Sequence, residues 1–285
     1  MAFLCLKPNR DVEYVWSDVG AALYQVYYRG VPMLYVGDDK SFERPNFEYF
    51  GQFVGPVAGR IEKARLGEFD FAPNEGANAV HSSDRSWCFQ PFTYTVDETE
   101  DSYIIAFVRE GNLFQGLYRA EADYIVDKRG PGFTLRLRFS CTKDCPCNLT
   151  SHLYFSLGEE DISNVVLAMD SREVMSYDEA NLPRGYVPAE GIYDFTAGRP
   201  LKEHYDHSFR LSSPRIEAIG TKFRLVATLS EKNVIVYTDA VSREKEGASK
   251  GFTLEFVRHP IMDESVILPA GQTEILSTDY VFQAR

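Results

Sequence analysis

Four short stretches, far apart in the chain, hold the side chains best suited to moving protons. They are Gly59-Arg60-Ile61 with Asn78-Ala-Val-His81, Thr150–Phe155 around His152, Tyr205–Phe209 around Asp206, and Thr253–Phe256 around Glu255. A guanidinium and a carboxylate can hold the hydroxyls of a polyol, and an imidazole with a carboxylate can act as general acid and base. That inventory can hold a polyol and move protons on it with neither metal nor cofactor.

Each stretch also has a plainer reading. If Asn148–Phe155 is a strand, alternation places Asn148, Thr150, His152 and Tyr154 on one face and Leu149, Ser151, Leu153 and Phe155 on the other. The polar face is either a ligand cleft or simply wet. In Phe252–Val257, Phe252, Leu254 and Phe256 form the apolar face, and a lone Glu255 opposite them is ordinarily solvent-exposed. Asp206 can cap a turn, and His207 beside it can be mere surface. Arg60 can pair with any of the many acids, and the Asn78–His81 segment can be a turn whose asparagines hold a loop. The cysteines of Cys141-Thr-Lys-Asp-Cys145-Pro-Cys147, followed by His152, imitate a zinc site, but the spacing lacks a second knuckle. Reduced thiols are expected.

The elements that must position these groups read as strands. Tyr103–Val108, Asp123–Asp127, Thr134–Phe139, Phe223–Leu229, Val234–Thr238, Phe252–Val257 and Ser277–Phe282 are short runs of β-branched and aromatic residues between turn-forming clusters. No apolar helical periodicity lasts beyond about three turns, so little helix is expected. No strand and helix alternation suggests a doubly wound sheet, and no repeat suggests a propeller. Residues 177–205 read as a long irregular excursion, and Ser242–Lys250 as a hairpin tip.

A chain of 285 residues with no compositional break is expected to form one domain, 1–285, with a sizeable core. Its formal charge of -12 disfavours nucleic acid and anionic membranes and does nothing to attract a phosphorylated substrate. The N-terminal apolar run, Ala2–Leu6, is too short for a signal peptide, and no run approaches a bilayer span. A soluble, cytoplasmic chain is expected.

Taken together, the motifs resemble the aldose 1-epimerase (mutarotase) family, in order from about Phe50 to Phe282. Phe50-Gly51, Gly59-Arg60-Ile61 and Asn74–His81 match its early pattern. Thr150, His152, Tyr154 and Phe155 match its Thr-x-His-x-Tyr-Phe motif, Tyr205-Asp206-His207 its Tyr-Asp-His, and Leu254-Glu255 its late Leu-Glu. Asp194-Phe195 and Leu268–Gly271 match weaker framework motifs. The chain departs from the pattern at Pro56, at Ser82 and Ser83 in place of glycines, at Ser156, and in lacking a glutamine near Phe256 and Val257. The departures bear on which sugar is preferred.

The resemblance implies an all-β fold, a large antiparallel β-sandwich, and cofactor-independent interconversion of α and β anomers of a free aldose. It implies Glu255 as base and His152 as acid, with Arg60, His81, Asp206 and Asn78 holding the sugar and no metal. Reference pKa values of about 4.3 and 6.5 would leave the Glu ionised and the His protonated at an intermediate pH. Asp206 nearby would favour the charged imidazole further. The expected partner is a neutral hexose or pentose, with no nucleic acid or membrane, and the chain a monomer or homodimer. Three other readings stay open. A sugar-phosphate (hexose-6-phosphate) 1-epimerase needs a cationic pocket, for which only Arg60 offers itself. A glycoside hydrolase would use Asp206 and Glu255 as its pair. A non-catalytic carbohydrate-binding domain would need neither acid nor base.

Overall fold

Alternation decides the layers. In the strand Gly132–Cys141, Phe133, Leu135, Leu137 and Phe139 are buried while Thr134, Arg136 and Arg138 between them are only partly so. The computed structural model describes residues 1–37, 48–239 and 247–285. Every segment expected to be a strand lies within one. Among the described residues no helix reaches seven residues, and the helical turns are three-residue 3-10 pieces. None is long and apolar enough to cross a membrane.

The strands assemble into a thirteen-stranded antiparallel sheet. Its main path runs Thr93–Glu98, Ser102–Leu113, Gly116–Asp127, Gly132–Cys141, Thr273–Ala284, Phe223–Leu229, Asp206–Ile219, Asn233–Thr238, Phe252–Val257 and Tyr154–Phe155. A second sheet of four strands, from Phe3–Asn9 to Val31–Pro32, was not read from the sequence. Its signal was present, since Val12, Tyr14 and Trp16 alternate and are buried to 1% exposure or less. Tyr14 meets Phe133 edge-on at 5.9 Å and Trp16 meets Tyr124 at 5.7 Å, which packs this sheet onto the large one as a sandwich. One apolar core extends from Val12 to Phe282.

One expectation changes. The 177–205 segment is not irregular throughout, because Pro183–Pro188 pairs with Val166–Tyr177 and places Val187 opposite Val174. Its prolines stand at the two ends of a strand bonded on one side, where a missing N–H costs no ladder bond. Of Ser242–Lys250, residues 242–246 lie outside the described residues. Cys141, Cys145 and Cys147 are buried free thiols, and His152 is directed at a carboxylate instead.

The Phe50-Gly51 motif has a local reason. Gly51 has a φ of +66°, and a Cβ there would lie 2.3 Å from the Leu23 carbonyl oxygen. Its N–H donates to the His152 carbonyl at 2.9 Å, so this turn also fixes the backbone of a candidate site residue. Gly51→Ala combines a left-handed backbone penalty with overpacking and should cost about 2–5 kcal/mol. A urea unfolding midpoint equal to that of the unaltered chain would contradict this.

Candidate active site

Strand register brings the chemistry together. Tyr154 pairs with Thr253 and Phe155 with Phe252, and continuing that antiparallel register two residues sets His152 across from Glu255. Tyr237 pairs with both Thr253 and Asp206, so Asp206, Tyr237, Thr253 and Tyr154 form one row across four strands on a single face. Residues 150–155 are not one continuous strand. Thr150–Ser151 pairs with Phe53–Val54, and Tyr154–Phe155 with Phe252–Val257. The alternation nevertheless holds, since Leu149, Leu153 and Phe155 enter the core while His152 and Tyr154 line a cleft. The solvent-facing alternative is excluded by burial: His152 is 5% exposed and Glu255 only 3%.

The cleft, of about 230 Å³, is lined by Arg60, His81, His152, Asp206 and Glu255, together with Tyr49, Glu75, Tyr154 and Tyr237. His152 Nε2 lies 3.3 Å from Glu255 Oε1. The same oxygen accepts the Thr253 hydroxyl at 3.0 Å. No described residue hydrogen-bonds the other carboxyl oxygen, Oε2. The imidazole of His152 is boxed by the rings of Tyr154 at 5.1 Å, His81 at 5.5 Å and Tyr49 at 5.8 Å.

Arg60 sits in the short pair Arg60–Ile61 with Ala79–Val80, which delivers His81 opposite Gly59. Asn74 steadies the return by bonding Val80 N at 2.7 Å and Val80 O at 3.2 Å. Ser82 and Ser83, where the family often has glycines, adopt φ of 65° and 44°, the left-handed conformation that glycine adopts freely. Ser82 Oγ accepts from Val57 N at 2.7 Å and donates to Val57 O at 3.0 Å, which offsets the strain of that turn. The Arg60 guanidinium grips Glu75 through two hydrogen bonds, at 2.7 and 3.1 Å, and reaches Asp206 at 3.3 Å. Glu75 was missed in the sequence because nothing local distinguishes it from any other turn acid.

Asn78 does not line the cleft. Its Oδ1 accepts the Lys63 N–H at 2.9 Å, and its backbone exchanges hydrogen bonds with Glu75, so its amide closes the turn that carries Glu75. His207 is half-buried against Tyr193, whose hydroxyl lies 3.1 Å from its Nε2.

The electrostatics overturn the expectation of an ionised Glu beside a protonated His. Burial pushes the Glu255 carboxyl up to about 8, and Asp206 adds to the rise while Thr253 and Arg60 oppose it. Burial, and secondarily the neighbouring His81, holds His152 well below the usual imidazole range. Asp206 thus acts on Glu255, not on His152. His81 is lowered to about 3, by burial first and by Arg60 second. It is neutral, and Gly59 N–H donates to its Nδ1 at 3.3 Å, so its ring proton resides on Nε2.

That tautomer bears on metal binding. Ligand atoms of His81, His152 and Glu255 lie within 4.8 Å of one another. A histidine that binds a metal normally donates its second ring N–H to an acceptor. His81 does the reverse, accepting from a backbone N–H, so its Nε2 carries a proton where a metal needs a lone pair. The group is better fitted to donate to a sugar oxygen.

Comparison with known proteins gives the family and the fold. The sequence profile of the aldose 1-epimerase family matches residues 3–273, beginning earlier than the Phe50 at which the motifs start. The galactose mutarotase of Rattus norvegicus is 27% identical over 186 residues, covering 59% of this chain and 53% of that protein. The aldose 1-epimerase of Escherichia coli K12 is 25% identical over 191 residues, covering 58% and 54%. The match spans only about half the length of these curated relatives. Among solved structures, a galactose 1-epimerase from Lactobacillus acidophilus NCFM superposes with a TM-score of 0.88 at 19% identity, covering 98% of this chain and 93% of that one. A GalM/aldose epimerase homologue from C. elegans gives 0.87 at 18% identity, covering 99% of each. At such identities the structural likeness is one of fold, and the match of a family profile to nearly the whole chain carries the assignment: the protein is a member of the aldose 1-epimerase family.

Proposed function

We propose that this chain is an isomerase that interconverts the α and β anomers of a neutral free aldose without a cofactor. The observation that carries the reading is the buried His152–Glu255 pair, 3.3 Å apart in a cleft whose lining also includes Arg60, His81, Asp206 and three tyrosines. Glu255 takes the proton of the anomeric hydroxyl while His152 gives one to the ring oxygen. The C1–O5 bond breaks and C1=O1 forms. Rotation about C1–C2 turns the other face of the aldehyde inward, and the two protons return as the ring closes. Arg60, Asp206 and the Nε2–H of His81 hold sugar oxygens meanwhile.

Burial serves both transfers. A carboxylate raised toward 8 is a stronger base than an exposed one, and an imidazolium held below its usual range is a stronger acid. The proton count explains why the neutral resting pair is competent. A protonated Glu255 beside a neutral His152 holds as many protons as the ion pair, and one transfer across 3.3 Å interconverts them. The neutral form is also the state facing the open-chain aldehyde, so the cost of burying the ion pair is relieved as the ring opens.

A sugar phosphate fits less well. The guanidinium of Arg60 is already engaged by Glu75 and Asp206, so the cleft offers a phosphate no free cation on that side chain. Anomer exchange measured by polarimetry and NMR over a panel of hexoses, pentoses and hexose 6-phosphates tests the proposal. Neutral sugars should be converted, with chelator present or absent, and the phosphates should be poorer. A marked preference for a phosphate, or no conversion of any aldose, overturns it.

A further inference from the structure

Strand alternation puts Thr253 and Glu255, two residues apart in Phe252–Val257, on one face of the sheet, and pairing with both Tyr154 and Tyr237 fixes Thr253 between the flanking strands. Thr253 is fully buried, so its hydroxyl is shielded from bulk water. Its partner is Glu255 Oε1, at 3.0 Å, the oxygen that also lies 3.3 Å from His152 Nε2. A hydroxyl and an imidazole thus meet one carboxyl oxygen, while Oε2 takes no hydrogen bond from a described residue. We infer that Thr253 is a positioning residue for anomer exchange, pinning Oε1 beside His152 so that Oε2 is the oxygen that takes the proton of the anomeric hydroxyl. The inference rests on the anomer-exchange reading of the cleft, since that reading makes Glu255 the base.

The chemistry needs the hydroxyl of Thr253 and not only its shape. A carboxyl group turns easily about its last torsion, which has no sharp staggered wells. Ile235, paired with Glu255 on the neighbouring strand and lining the same cleft, offers no side-chain donor to stop it. During ring opening the anomeric proton arrives on Oε2 as the His152 proton leaves Nε2 for the ring oxygen and the C1–O5 bond breaks. Thr253 is then the one donor, among the described residues, that stays on Oε1 throughout. The same hydrogen bond favours the carboxylate and so opposes the burial that raises Glu255. The other ionisable groups of the cleft are Arg60, Glu75, His81, His152 and Asp206, with Tyr49, Tyr154 and Tyr237. Arg60 also favours the carboxylate and Asp206 disfavours it. None of these is altered when Thr253 is replaced, so a shifted titration reports the lost hydroxyl.

The test compares the unaltered protein with Thr253→Val, which keeps the branched shape and deletes the hydroxyl, and with Thr253→Ser, which keeps the hydroxyl. Thr253→Ala serves as the donor-free variant if the valine form does not fold. Anomer exchange is followed by NMR from pH 5 to pH 10, on the aldose that the panel shows to be converted fastest. Loss of the donor should lower kcat about 10-fold with KM little changed, and move the alkaline limb of kcat/KM up by about one pH unit, the effect of one hydrogen bond to a charged group. Thr253→Ser should keep most of the activity and leave the limb in place. The carbon-13 resonance of the Glu255 carboxyl, assigned by its absence in Glu255→Gln, should show the same upward move without substrate. A donor-free variant with unchanged kcat, or one whose limb and carboxyl titration stay in place, overturns the role of Thr253 and leaves Glu255 as the base. A serine variant as impaired as the donor-free one does the same. Failure of the unaltered protein to convert any aldose overturns the anomer-exchange reading and this one with it.

Discussion

Glu255→Gln is expected to lower kcat by about 10²–10⁴-fold while making the protein more stable. The loss follows from removing a positioned base, which typically contributes about that much. The gain follows from burial. The folded-state pKa of Glu255 is raised from 4.5 to about 8, so its contribution to stability is fully present below pH 4.5 and is lost as the pH rises through 8. Within that window the unaltered protein loses about 1.4 kcal/mol per pH unit relative to a side chain that does not titrate. At pH 7 the difference is of the order of 3 kcal/mol. Gln with its oxygen at the Oε1 position retains the acceptor for Thr253, and the same oxygen can accept an Nε2–H of His152. Paired thermal melts should therefore show the variant's advantage widening from pH 5 to pH 8. A folded Glu255→Gln that keeps near-normal polarimetric activity would remove Glu255 as the base, and a pH-independent difference in melting temperature would remove the account of its pKa.

The second large effect belongs to His152. His152→Asn should also lower kcat by about 10²–10⁴-fold, and the double variant should be little worse than either single one, because both proton transfers belong to one ring opening. Multiplicative losses would mean that the two residues act in separate steps. The pH dependence of kcat/KM carries the same information for the free protein. Activity needs one shared proton on the pair, so it should fall as the pH passes about 8, where that proton is lost. The acid limb should lie well below the ordinary imidazole range, because burial opposes a second proton on His152. An alkaline limb absent up to pH 10 would contradict the assignment.

The sequence by itself determined seven strands of the large sheet and which of their side chains share a face. Period-two alternation is a local property, so Phe252–Val257 could be divided into an apolar face and a face bearing Thr253 and Glu255 before any partner strand was known. The four ordered motifs likewise identified Arg60, His81, His152, Asp206 and Glu255, which the structure brings into one cleft. Only the tertiary structure decided what those groups are chemically. The register of Tyr154 with Thr253, which no local pattern specifies, sets His152 beside Glu255. Glu75 becomes a site residue only because the turn closed by Asn78 swings it onto Arg60, and the same closure keeps Asn78 itself out of the cleft. The protonation of the pair was beyond the sequence for a related reason. Reference pKa values belong to solvated groups, and desolvation, supplied by rings and strands remote in sequence, moves Glu255 up and His152 down.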